Sequence, residues 1–121
     1  MPAPPSPLDW TDTATIKQVR KAILQGPKYC DEGPIELVQT HLSTVFLTER
    51  YVFKFKRPVD FGFVDFLTLG SRARFCQIEL KLNRRLAPEV YLERLPLRQG
   101  QKGFRFGGPG SIVDWCVVMQ R

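Results

Sequence analysis

Tyr51-Val52-Phe53-Lys54-Phe55-Lys56-Arg57 alternates strictly, and Pro58 stops it. Side chains two apart on a strand share a face, so Tyr51, Phe53 and Phe55 fall on one side and Val52, Lys54 and Lys56 on the other. Three aromatic rings make a core face. The two lysines opposite them look onto solvent or onto a cleft, and the strand alone favours solvent.

The segment that follows changes that balance. Thr68 to Leu86 has helical spacing and Pro88 ends it. Stepping about 100° per residue from Phe75, Ile78, Leu82 and Leu86 lie within about 60° and form an apolar stripe, and Glu79 lies at about 40° on that stripe. Arg74, Gln77, Lys81 and Arg84 fall on the polar side, with Arg85 at its border. A carboxylate aimed into a packed face is costly unless it meets a cation or donors. A strand lysine is its natural partner; the competing reading leaves Glu79, beside Asn83, at the stripe's edge in water. A strand lysine held by a glutamate of the next helix is the phosphate clamp of protein-kinase-like folds.

The remaining elements frame this pair. A helix is expected over Thr13–Gln25, capped by Thr13 and stopped by Gly26-Pro27. Strands are expected at Ile35–Leu42, Thr44–Leu47, Tyr51–Arg57, Val90–Arg98 and Ile112–Gln120, with Phe104–Phe106 a shorter candidate. Asp60–Leu67 reads as an aromatic connector. Four prolines in the first eight residues make residues 1–10 a Pro-rich disordered tail ahead of one domain, residues 11–121. The order predicts an α+β fold: a mostly antiparallel five-stranded sheet, covered on one face by one main helix, with an N-terminal helix.

Composition bounds the function. At 121 residues the chain fits one small domain and excludes a two-lobed kinase, a TIM barrel or a complete dinucleotide enzyme. The net charge is +6: residues 1–70 hold eight basic and eight acidic side chains, and residues 71–121 hold ten and four. This asymmetry points to an anionic partner or to plain solubility. Three scattered cysteines (Cys30, Cys76, Cys116) and one histidine, His41, offer no zinc site. Free thiols, no signal peptide and no membrane-length apolar run point to the cytoplasm.

The runs Glu36–Thr48, Val52–Phe63, Phe75–Pro88 and Val113–Arg121 resemble bacterial aminoglycoside phosphotransferase-like proteins, predicted kinases often fused to a P-loop ATP-binding domain. Lys56-Arg57-Pro58-Val59-Asp60-Phe61-Gly62-Phe63 and Leu82-Asn83-Arg84-Arg85-Leu86-Ala87-Pro88 carry most of the likeness. The resemblance implies the N-terminal lobe of a kinase-like fold with ATP and magnesium as cofactor. Lys54 would contact phosphate, with Lys56 the fallback and Glu79 the helix partner. Val38 and Val52 would roof the adenine, and Met119 would open the hinge toward a large lobe that these residues do not include.

The sequence also departs from the kinase pattern. Leu37–Leu47 has no glycine, so a phosphate cradle would use amides around Leu42–Thr44, helped by the Ser43 and Thr44 hydroxyls. Asp60-Phe61-Gly62 precedes the helix rather than following a catalytic loop, and is read as a connector. No Asp-x-x-x-x-Asn exists, because residue 78, five before Asn83, is isoleucine. No catalytic residue and no metal ligand is therefore assigned. The expected function is an ATP-binding small lobe, inactive in isolation, whose parent activity phosphorylates a hydroxyl of a small molecule or protein. The expected partners are nucleotide, a missing C-terminal lobe or partner chain, and a second copy through the exposed lobe surface. Two alternatives stand beside it: a pseudokinase-type docking module, and an RNA- or DNA-binding module using Arg74, Lys81, Arg84 and Arg85 with the hairpin cations Arg94, Arg98, Lys102 and Arg105. The nucleic-acid reading ranks lower because no recognised binding motif is present.

Overall fold

The computed structural model describes residues 7–121 apart from 27, 30, 32, 61, 63 and 64. Cys30, Phe61, Phe63 and the first six residues of the expected tail lie outside them. Among the described residues the elements run α1 (Thr13–Leu24), β1 (Glu36–Gln39), β2 (Ser43–Leu47), β3 (Tyr51–Lys56), α2 (Leu69–Arg84), β4 (Tyr91–Gly100), β5 (Gly103–Arg105) and β6 (Ser111–Gln120). One sheet holds every strand in the order β1-β2-β3-β6-β4-β5, each ladder antiparallel. The α+β class is as expected, but the sheet has six strands rather than five. The sixth is β5. Gly103, at φ 118°, turns the chain back after only two residues, so that Gly103 pairs with Gly100.

The sheet is also covered on both faces, not one. Phe53 and Phe55 of β3 point toward α1, where Val19, Ala22 and Ile23 join Phe46, Leu97, Cys116 and Val118 in the main core. On the other face Cys76 and Leu80 of α2 pack on Val117, with Tyr91, Trp115 and Met119 beside them. Asp12, rather than Thr13, caps α1 by accepting from the Ala14 N–H at 3.1 Å. Thr68 caps α2 through the Ser71 N–H at 3.0 Å.

Trp10 corrects the expected tail. It is 2% exposed and sits in the main core, its ring 5.0 Å from Phe55 and 6.1 Å from Phe46. Leu8 packs against the same cluster. An indole that removes this much apolar surface from water is worth tethering, and the neighbouring prolines do not prevent it. The indole N–H has no hydrogen-bond partner among the described residues.

The expected apolar stripe of α2 is turned away from the sheet. Ile78, Leu82 and Leu86 are 41%, 55% and 88% exposed, and the buried residues are Arg72, Cys76 and Leu80. The cause is an ion pair. Arg72 Nε lies 3.1 Å from Asp114 Oδ1, and both side chains are 1% exposed. The guanidinium also donates to the Phe66 and Leu67 carbonyls at 2.9 and 3.0 Å. Asp114 accepts from the Trp115 N–H at 2.8 Å. Leu97 pairs with Asp114 while Arg98 pairs with Ile112, so Val113 is an extra residue in β6. Such a bulge re-aims its neighbour's side chain, here the carboxylate beside it.

Two outcomes follow. Trp10→Ala should cost about 3–5 kcal/mol in urea unfolding. Trp10→Phe should cost much less, because no hydrogen bond is lost; equal costs would contradict this packing. For Asp114, burial pushes the carboxyl up from 3.8 to about 6 against the pull of Arg72. A group raised in the folded state holds protons that the unfolded chain has released. Its contribution is thus fully present below about pH 4 and lost as pH rises through about 6. Relative to Asp114→Asn, the native chain should lose stability across that window, read from urea midpoints. A difference that is flat or rises with pH would contradict it.

Candidate functional site

The lysine face of β3 lies beside α2, and Glu79 reaches across to it. Lys56 Nζ is 2.9 Å from Glu79 Oε1 and Lys54 Nζ is 3.5 Å from the same oxygen. Glu79 is 17% exposed, so the carboxylate is committed to the lysines rather than to water. The lysines differ in access: Lys56 is 8% exposed and Lys54 is 32%. Lys56 also lies 5.1 Å from the centre of the Phe66 ring. The second carboxylate oxygen, Oε2, is buried without a hydrogen-bond partner among the described residues. Two ammonium groups against one carboxylate leave a positive charge uncompensated within the trio, and Lys54 is the member that presents it.

The strand registers place the other candidates. Residues directly opposite in an antiparallel ladder share a face. Val38, Val45, Lys54 and Val117 form one row across the sheet. Glu36, Leu47, Val52 and Met119 form the next, and Ser43 pairs with Lys56. All lie on the α2 face. α2 itself packs over β6 and β4, so the β1–β3 part of this face stays open. Val38 is exposed there, and Val45, Leu47, Val52 and Met119 are half-buried. The result is a shallow apolar trough with Lys54 on its α2 side.

Thr44 does not join this group. It pairs with Phe55, on the α1 face, is fully buried, and donates its hydroxyl to Gln39 Oε1 at 3.2 Å. The expected amide cradle is also engaged. The Leu42 and Ser43 N–H groups both donate to Thr40 Oγ1, at 3.3 and 3.1 Å. Arg57 holds the same turn through the Thr40 carbonyl at 3.0 Å. The Asp60–Asp65 connector closes on itself as an isolated bridge, with Gly62 at φ 85° donating to Asp60 Oδ1 at 2.7 Å.

Sequence reasoning missed the groups that hold α2 in place. Arg72 and Asp114 are two of them. Arg94 lies 4.2 Å above the Trp115 ring and donates to the Ala73 carbonyl at 3.0 Å. Asp114 was a legible signal, as the only charge between Ile112 and Met119; such a charge in an apolar strand demands a buried partner. Cys76 and Cys116 are buried free thiols, and burial pushes Cys76 up to about 12.

No family model and no solved structure matches the chain. It is similar to uncharacterized proteins from Mycobacterium bovis and from two strains of Mycobacterium tuberculosis, each 44% identical over 62 residues. That stretch covers 51% of this chain and 12% of each relative, so the chain spans a small part of the length of the curated relatives it matches.

The geometry ranks the trio by stability. Glu79→Ala leaves Lys56 buried without its counter-charge and should cost about 2–4 kcal/mol. Lys54→Ala removes a longer, partly solvated contact and should cost under about 1 kcal/mol. Urea unfolding of both variants decides; equal losses would mean that Lys54, not Lys56, is the structural partner.

Proposed function

We propose that this chain is the nucleotide-binding small lobe of a kinase-like phosphotransferase, with Lys54 as its phosphate-contacting group. The observation that carries this reading is an accessible lysine on the third strand, positioned by a glutamate from the helix that follows. That is the arrangement protein kinases use to hold the α- and β-phosphates. Glu79 orients the ammonium, and Lys56 ties Glu79 down so that Lys54 keeps its charge free for an anion. The trough of Val38, Val45, Leu47, Val52 and Met119 suits the flat apolar face of a base, at the end of the sheet where a hinge to a large lobe is expected. Ser43, beside Lys56, is the one hydroxyl of the expected cradle on this face.

The same residues limit what the chain does alone. Among the described residues no three of His, Cys, Asp and Glu gather, and the Glu79 oxygen that reaches the site is held by lysines. No magnesium ligand and no transfer step is assigned to these residues. A hydroxyl acceptor, its base and its metal ligands belong to a large lobe or a partner chain. The nucleic-acid alternative loses two of its hairpin cations: Arg94 is stacked on Trp115, and Arg98 donates to the Gly110 carbonyl at 2.9 Å.

Calorimetric titration with ATP tests this reading. Binding should be weak, in the range of about 0.1–1 mM, and should fall roughly tenfold, about 1.4 kcal/mol, in Lys54→Ala. Rising salt should weaken it further. No heat at millimolar ATP, or an unchanged affinity in Lys54→Ala, would overturn it.

A further inference from the structure

We infer that the outward face of α2 is a docking surface for an acidic amphipathic helix. Ile78 and Leu82 of α2, with Leu86 in the turn just past its end, follow the i, i+4, i+8 spacing by which one helix receives another, while Phe75, next on the stripe, is half-buried with its ring 5.2 Å from that of Phe66. Three of them stand well out in solvent, at 41%, 55% and 88%. Isolated exposed leucines need no explanation, but a stripe that runs along the helix and into the turn after it does.

The charges beside the stripe choose the partner. Taking Phe75 as the origin, Arg74, Lys81 and Arg85 project about 80–120° to one side of it, next to Ile78. All three are exposed. Glu79 and Asn83 lie on the other side, at about 40–80°. Glu79 is turned inward onto Lys54 and Lys56, and the Asn83 amide donates to the Glu79 carbonyl at 2.8 Å. One flank is therefore cationic, with Lys81 and Arg85 open to solvent and Arg74 lying 5.2 Å from the centre of the Phe75 ring, and the other holds no available charge.

A second copy of the chain fits this surface poorly. Laid antiparallel, it would bring the basic flank against itself; laid parallel, it would bring that flank against Glu79, whose carboxylate is taken. A helix with leucine-like residues at the same spacing and glutamates or aspartates along the edge facing Arg74, Lys81 and Arg85 satisfies both features. The surface lies on the side of α2 away from the sheet and does not depend on nucleotide binding.

The test is an NMR titration of the isotope-labelled chain with two synthetic helical peptides of about 20 residues. Both carry leucines at the matching spacing, one with glutamate flanks and one with lysine flanks. The acidic peptide should shift amide signals along residues 74–86 and bind roughly tenfold or more tighter than the basic one. Leu82→Asp should weaken it by a similar factor. Arg74→Glu, Lys81→Glu and Arg85→Glu combined should reverse the preference. These side chains are exposed, and unchanged unfolding midpoints will confirm that the variants fold. The inference is overturned by any of four results: no shifts on α2 at about 1 mM peptide, equal affinity for the two peptides, a dimer in sedimentation that Leu82→Asp dissolves, or broadening of α2 signals by anionic phosphatidylserine vesicles but not by the acidic peptide.

Discussion

The buried Arg72–Asp114 pair sets the rotation of α2, and much else depends on that rotation. Taking both charges out of water is expensive, and only near-complete pairing offsets the cost. Arg72 meets that demand with the carboxylate and two carbonyls, and Asp114 with the guanidinium and a backbone N–H. Turning α2 by about 140°, the step that would bury Ile78 and Leu82 in place of Arg72, Cys76 and Leu80, would break all the Arg72 contacts at once. The transfer energy of two or three aliphatic side chains, about 1.5–3 kcal/mol each, competes directly with that loss. In the folded chain the polar network prevails, and the aliphatic stripe stays outside.

This competition explains what was legible in the sequence. The alternation of Tyr51–Lys56 placed the aromatics and lysines on opposite faces correctly, because period two leaves no freedom once one face is a core. The meeting of Glu79 with the lysines was legible for the same reason: a carboxylate near a packed face needs a cation. The setting of α2 was not, because a hydrophobic stripe weighs only apolar residues. Arg72 at one end and Asp114, distant in sequence, decide it together. Trp10 was lost to composition: four nearby prolines describe the backbone and say nothing of where one indole can reach. The fifth-versus-sixth strand question turned on Gly103, a single residue whose positive φ closes a two-residue turn.

The net charge illustrates a similar limit. Its excess lies in residues 71–121, yet the basic residues there serve different ends. Arg72 is buried, Arg94 stacks on Trp115 and Arg98 braces the Gly110 turn. Arg74, Lys81 and Arg85 remain at the surface, gathered along one edge of one helix. Lys54, the lysine proposed to contact phosphate, belongs to the half of the chain whose charges cancel. Local pairing, not the regional sum, decides which cations are available to a ligand.

Because α2 carries Glu79 on one side and the aliphatic stripe on the next, any communication between the two would have to pass through a movement of the helix. Coupling of this kind needs an element with two discrete arrangements that both sites bias. α2 is fastened near its start by Arg72 to Asp114 and by Arg94 to the Ala73 carbonyl, and in its second half by Glu79 to Lys56. A guest on the outer face gains nothing from rotating a helix whose apolar stripe already faces it. The two faces are therefore best understood as independent: α2 acts as a fixed spacer, holding a lysine–glutamate site on one side and an open aliphatic ridge on the other.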